Sequence, residues 1–286
     1  MTKCSFLHKL LGMRLRIALA FVAAAVLAVS AVAAQGRRGG GAMNGAFRAR
    51  WAEPEDFDGG FQFCRMVTRQ SPQGDSNSWD VDYPRADINL SIRLSELTRT
   101  PVSMDQNEDP KIILVNPATP LLFRCPFVMM TEPGNAYFTT EEAATLRSYL
   151  QRGGFLWADD YWGERAWEFF ENSIRQVLPS ATYPIVDLPR DHLLFHQMLD
   201  ASKVPQIPGI GYWDGRDRTW ERSPRENVPH IRAILDDRGR IMVLFTHDTD
   251  FGDSYEQEAA NPEYFMKFSV PGYAFGINVL IYAMTH

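Results

Sequence analysis

Cysteine is scarce in this chain of 286 residues: Cys4, Cys64 and Cys125 are the three present. With so few thiols, and none near a histidine-rich cluster, a zinc site is not expected, and no other metal motif stands out. Histidine is scarce too, at six residues. No Gly-x-x-x-x-Gly-Lys run occurs, which excludes a phosphate loop of that type. No cofactor signature is present, so no cofactor is expected. Basic residues are outnumbered, 29 Lys and Arg against 35 Asp and Glu. An acidic chain is a poor match for a polyanion, so nucleic acid is not expected as a partner. No internal repeat is visible.

What is present begins with a distinctive N-terminus. Lys3, Lys9, Arg14 and Arg16 precede the apolar run 17–29, and Ala31-Val32-Ala33 offers small residues for cleavage. Residues 1–34 therefore read as a secretory signal peptide, with Met1 or Met13 as the start. No twin-arginine pair precedes the apolar run. The rival reading is an uncleaved inner-membrane anchor, because a helix over 17–34 would span roughly 27 Å. Cleavage would remove four basic residues and no acidic one, leaving a net charge of about −10 against −6 for the whole chain. Residues 35–56 read as a flexible leader rich in Gly, Arg and Ala. Residues 57–286 then form one exported α/β domain, periplasmic or secreted. Export would permit a Cys64–Cys125 disulfide, while two buried thiols fit the apolar text equally well.

Residues 127–163 carry the clearest structural text. An apolar strand (127–130) and a loop (131–138) lead into a helix (139–152). Thr139 and Glu142 make a capping box at its start. Ala143, Leu146, Tyr149 and Leu150 share one face, and Gly153 stops the helix. A second apolar strand (155–158) runs into Asp159-Asp160. This is a βαβ unit, whose ligands collect at the carboxyl ends of its strands. The aspartates are expected at such an end, facing solvent. Further strands are expected at 61–67, 111–115 and 183–186, and helices after Tyr83-Pro84, over 164–178, over 191–199 and over 274–284. A hairpin is expected at 231–245 around Asp236-Asp237-Arg238-Gly239. Residues 206–226 read as a long surface loop. The class is α/β, with three layers and a mostly parallel sheet carrying an antiparallel hairpin near the C-terminus.

The patterns at 127–131, 138–154, 155–163, 191–195, 246–250 and 276–285 resemble a bacterial family called domain of unknown function 4159. The resemblance covers most of the chain from about residue 61. It implies a flavodoxin-like fold similar to class I glutamine amidotransferases, and it brings no established activity. Amidotransferases of that group carry a Gly-x-Cys-x-Gly nucleophile turn. The matching turn here is Trp157-Ala158-Asp159-Asp160-Tyr161-Trp162-Gly163, without a cysteine. Thiolate chemistry needs that nucleophile beside a base, so glutaminase activity is not expected. Trehalose-utilisation-like proteins share the layout and usually have histidine at the turn.

Asp159 and Asp160 are the first candidates for chemistry. Two carboxylates about 4 Å apart at an effective dielectric near 20 repel by about 4 kcal/mol, enough to raise one pKa by about 3. An acid/base couple with His247 is then conceivable. The bland alternative has Asp160 capping the helix that follows and Asp159 accepting loop amides. Tyr161 and Trp162, with Trp213 and Trp220, suit sugar rings or ordinary packing. Thr131, Gly134 and Asn135 form a wall or a plain turn beside the aspartates. His192 and His196 lack the glutamate of a zinc-protease helix, which leaves His192 as a packing or site-edge residue. Asp248, Asp250 and Asp253 loosely imitate a calcium loop, though an exposed acidic loop is the simpler reading. The sequence thus points to a non-catalytic module for a small molecule or protein partner. Its alternative is a hydrolase of glycans or related polar substrates, using Asp159 or Asp160 with His247. A membrane enters only if the leader is not cleaved.

Overall fold

The structure, a computed structural model, describes residues 50–286. The expected signal peptide and all but the last residues of the expected leader lie outside the described residues. The chain order is β1 (Phe63–Met66), β2 (Arg69–Gln70), α1 (Arg85–Leu97), β3 (Ile112–Val115), β4 (Val128–Thr131), β5 (Ala136–Tyr137), α2 (Thr140–Gln151), β6 (Leu156–Asp159), α3 (Gly163–Val177), β7 (Ile185–Asp187), β8 (His230–Leu235), β9 (Ile241–His247) and α4 (Phe251–Glu256). The helical run α5 (Pro262–Thr285) follows, with a π turn at Phe265–Ser269.

Seven strands form one sheet in the order β3-β1-β4-β6-β9-β8-β7. The first five are parallel, and β8 and β7 add antiparallel to the edge. Numbered by themselves in chain order, the parallel strands run 2-1-3-4-5, the flavodoxin order. The expected βαβ unit is present, with β4 beside β6 and Thr131 level with Asp159. Thr139 and Glu142 close the capping box on α2, and Gly153 takes φ +107° just beyond it.

Strand alternation sorts the core into two layers. Phe63, Met129, Trp157 and Leu244 face α1, α4 and α5. Cys64, Met130, Ala158 and Phe245 face α2 and α3. On the first side, Trp157 meets Phe251 and Phe275, whose rings stack at 4.5 Å. Such pairs add about 0.5–1.5 kcal/mol each beyond their burial. Arg65, also on this side, is fully buried and grips the carboxylate of Asp87 on α1 with both Nε and Nη2. The run α5 is apolar and long enough to cross a bilayer, but 67% of its apolar window is buried inside the domain. It packs as a core helix, carrying Phe275, Val279 and Tyr282.

Three expectations change. Residues 50–56, read as leader, join the fold: Ala52 N donates to Leu114 O at 2.9 Å, Leu114 N donates to Arg50 O at 2.8 Å, and Asp56 is buried. Their amides complete a sheet edge that composition alone does not reveal. The helix expected at 191–199 is a short 3-10 turn, Leu193–His196, started by His192. Cys64 and Cys125, left open between bridge and thiols, are disulfide-bonded across a separation of 61 residues. Closing a loop of that length restricts the unfolded chain by about 4 kcal/mol. Cys64→Ala combined with Cys125→Ala is therefore expected to lower unfolding stability by about 2–5 kcal/mol, read from urea midpoints. An unchanged midpoint would show that the bridge contributes nothing.

Candidate functional site

The carboxyl ends of β1, β4, β6 and β9 share one rim, and each leads into an acidic residue. Asp82 ends the connection from β1 to α1, and Glu132 follows β4. Asp159 and Asp160 end β6. Asp248, Asp250 and Asp253 follow β9. Asp82, Glu132, Asp160 and Asp248 all have left-handed backbones, with φ of 61°, 52°, 57° and 56°. That region is costly for a side chain, Asp tolerates it better than most, and such strain gathers at functional sites.

The expectation that the paired aspartates face solvent does not hold. Asp159 is 0% exposed, Asp160 3% and Asp250 4%. The covering segment is the start of the 206–226 loop, whose first residues are buried rather than superficial. Gln206 donates to Asp248 O at 2.7 Å, Ile207 N to Thr249 Oγ1 at 3.0 Å, and Tyr264 Oη to Pro208 O at 2.8 Å. Thr246–Glu258 is likewise buried over most of its length, with α4 inside it, and is no exposed loop.

Asp159 accepts from Thr246 Oγ1 at 2.5 Å and from Gly252 N at 3.1 Å. Trp157 Nε1 donates in turn to Thr246 Oγ1 at 2.8 Å. Asp159 thus receives a backbone amide, but from the first turn of α4 rather than from a loop. Asp160 caps no helix. Its Oδ1 accepts from Trp162 Nε1 at 3.0 Å, and α3 starts only at Gly163. The amide of Gly163 donates instead to Asp248 Oδ1, at 2.8 Å. Burial pushes Asp159 and Glu221 up to about 7, and Asp248 and Asp253 up to about 6. Asp82, Asp160 and Asp250 are raised as well, first by burial and then largely by neighbouring carboxylates.

His247 is not part of this cluster. Asp159 is level with Thr246 in the β6–β9 register, so His247 falls on the opposite face of the sheet. There its ring packs against Tyr161 and Trp167, at 5.0 and 5.4 Å, and Nε2 donates to Gly163 O at 3.1 Å. Burial holds its pKa down to about 3. An Asp159–His247 couple has no geometry here. Tyr161 and Trp162 are buried packing residues and offer no sugar platform. Thr131 accepts from Arg65, and Asn135 Nδ2 donates to Ser76 O and Asn77 O. Gly134 presses on α3, where an added Cβ would sit 2.6 Å from Ala166 Cβ. His192 lies at the other rim, in a cleft of about 1090 Å³ with Tyr282 and His286. A smaller cleft of about 540 Å³, by Cys125 and Gly153, is also at that rim. Neither cleft touches the acidic cluster.

Three side-chain groups among the described residues bring possible metal ligands within 4.8 Å of one another: His230, His247 and Asp248; Asp82, Asp160 and Asp250; and Asp82, Asp253 and Glu256. In the first, Asp248 already accepts from the Gly163 amide and His247 donates to the Gly163 carbonyl. The calcium-like spacing after β9 does not wrap one point either: Asp248 turns to Gly163, and Asp253 accepts from Ile210 N. Asp82 and Glu221 escape sequence reasoning because long irregular segments deliver them. The one available signal was an Asp just ahead of the helix that follows the first strand.

The raised carboxylates set a pH dependence. A carboxyl group whose pKa is higher folded than unfolded binds more protons in the native state, so its stabilisation is complete below about pH 4 and is lost as pH rises through about 7. His247, held neutral, opposes this below about pH 6.5. Protein stripped of divalent ions is expected to melt higher at pH 5 than at pH 8 by calorimetry. A lower melting temperature at pH 5 would contradict the burial of these acids.

No curated protein matches this sequence. Residues 63–284 match the family described as domain of unknown function 4159, and the chain belongs to it.

Proposed function

We propose that this chain is an exported, non-catalytic binding domain that holds its ligand at the carboxyl rim of the sheet. One observation carries the reading: Asp159 and His247 lie on opposite faces of the sheet, each engaged in internal hydrogen bonds. A hydrolase of the kind considered above needs both in one pocket. The cysteines support the same reading, since Cys64 and Cys125 are spent on a disulfide and no thiol nucleophile remains among the described residues. The bridge also suits an oxidising compartment, in keeping with a cleaved leader and a periplasmic or secreted protein. A small molecule or protein is the partner class. Inner-membrane attachment follows only if the leader is retained.

The mature protein is expected to show no turnover on panels of chromogenic glycosides and esters. N-terminal sequencing is expected to begin near Gln35. Turnover that disappears in both Asp159→Asn and His247→Gln would overturn the non-catalytic reading.

A further inference from the structure

The carboxylates of Asp82, Asp160 and Asp250 converge from three distant parts of the chain and lie within 4.8 Å of one another. Two are delivered by left-handed turns and the third by a helix start. Asp82 sits on a left-handed turn before α1, Asp160 on a left-handed turn after β6, and Asp250 at the start of α4, where its Oδ1 accepts from Asp253 N at 2.7 Å. A second observation is independent of this clustering. Asp82 Oδ2 is closed off from solvent and has no hydrogen-bond partner. It points across Gly252, where an added Cβ would lie 2.1 Å away. Opposite, a Cβ on Gly209 would come within 3.3 Å of both Asp250 Oδ2 and Asp253 Oδ2. Two positions without side chains thus leave these oxygens room to face one another.

Among the described residues no basic side chain hydrogen-bonds these three carboxylates, although the charge of Arg65 reaches Asp82. Arg65 is the nearest buried guanidinium, and its hydrogen bonds go to Asp87, Thr131 and Val81 O. Arg222 pairs with Asp75 farther out. A buried acceptor without a donor beside two further carboxylates is the chemistry of a cation ligand.

We propose that Asp82, Asp160 and Asp250 bind one hard divalent cation, with Ca²⁺ the best fit; this rests on the reading of the rim as a binding site. The donors are all oxygen, without nitrogen or sulfur, which selects Ca²⁺, Mg²⁺ or Mn²⁺ over softer ions. Ca²⁺ takes oxygens at about 2.3–2.6 Å in flexible geometry, so its ligands lie up to about 5 Å apart. Mg²⁺ sheds water reluctantly, and a closed site gives it little room to keep its shell. Asp82 also stands within 4.8 Å of Asp253 and Glu256, which places further oxygens next to the ion. The cation would tie the start of α1, the tip of β6 and the start of α4 together. Through Asp250, whose amide donates to Ile207 O at 2.9 Å, it would also fasten the covering loop.

The test uses mature protein freed of divalent ions by chelator and desalting, at constant ionic strength. CaCl₂ at a hundredfold excess over Kd is expected to raise Tm by about 5–10 °C. Calorimetric titration is expected to give one site, with Mg²⁺ binding more weakly. Asp160→Asn and Asp250→Asn are expected to weaken Ca²⁺ at least about tenfold while raising the Tm of cation-free protein, because repulsion is relieved. A misfolded variant would not show that pairing of effects. Gly252→Ala, which crowds Asp82 without changing charge, is expected to weaken Ca²⁺ as well. The absence of both heat and Tm shift at about 1 mM Ca²⁺, or an equal response in wild type and both Asn variants, would overturn the proposal. An organic ligand whose Tm shift is lost in Asp160→Asn, in protein indifferent to Ca²⁺, would overturn the cation site and leave the binding-domain reading standing. Turnover on the chromogenic panel would strike at that reading alone.

Discussion

Like charges crowded out of water are the constraint on which this molecule turns. A parallel sheet sends the carboxyl end of every strand to the same rim, and the helix after each strand starts there. The positive ends of α1 and α3 therefore point at the region where the acids gather. Those partial charges soften the crowding without cancelling it. Arg65 is the fully buried guanidinium beside the cluster, and it is bound to Asp87. The buried aspartates answer in two ways: their proton affinities climb, and Asp82 and Asp160 sit on left-handed turns.

The other face of the same rim solves a different problem. One residue, Gly163, is held at both its amide and its carbonyl by consecutive residues of β9 and its extension. Asp248 accepts from the Gly163 amide at the start of the helix, and His247 donates to the Gly163 carbonyl. The helix α3 thus takes its cap from a residue 85 positions away. Tyr161, Trp167 and Phe170 seal this arrangement with ring contacts. The aromatic and histidine residues that look like a substrate platform in the sequence are therefore a buttress between a helix and the sheet.

Much of the architecture was legible because it is written locally. The Thr139–Glu142 box, the stop at Gly153 and the two apolar runs around them lie within some thirty residues, and they specify the strand–helix–strand unit with little outside help. The candidate site was legible only in part. That Asp159 lies at an interior strand tip follows from the same local text. That His247 points away from it depends on the pairing of Asp159 with Thr246, a register between segments 87 residues apart. Shifting it by one residue would exchange the faces. Asp82 and Glu221 arrive on irregular stretches whose course no periodicity reveals. The disulfide stayed open for the same reason: the text around both cysteines is equally apolar whether they bond or not.

The helix α5 supplies Phe275, Ile277, Val279 and Leu280 to the layer beneath Trp157. It is made after every strand of the sheet. Until it emerges, α1 and α4 alone cover the central strands on that side, and Trp157 and Phe251 lack their ring contacts with Phe275. The domain cannot complete its interior while its earlier segments are still being delivered.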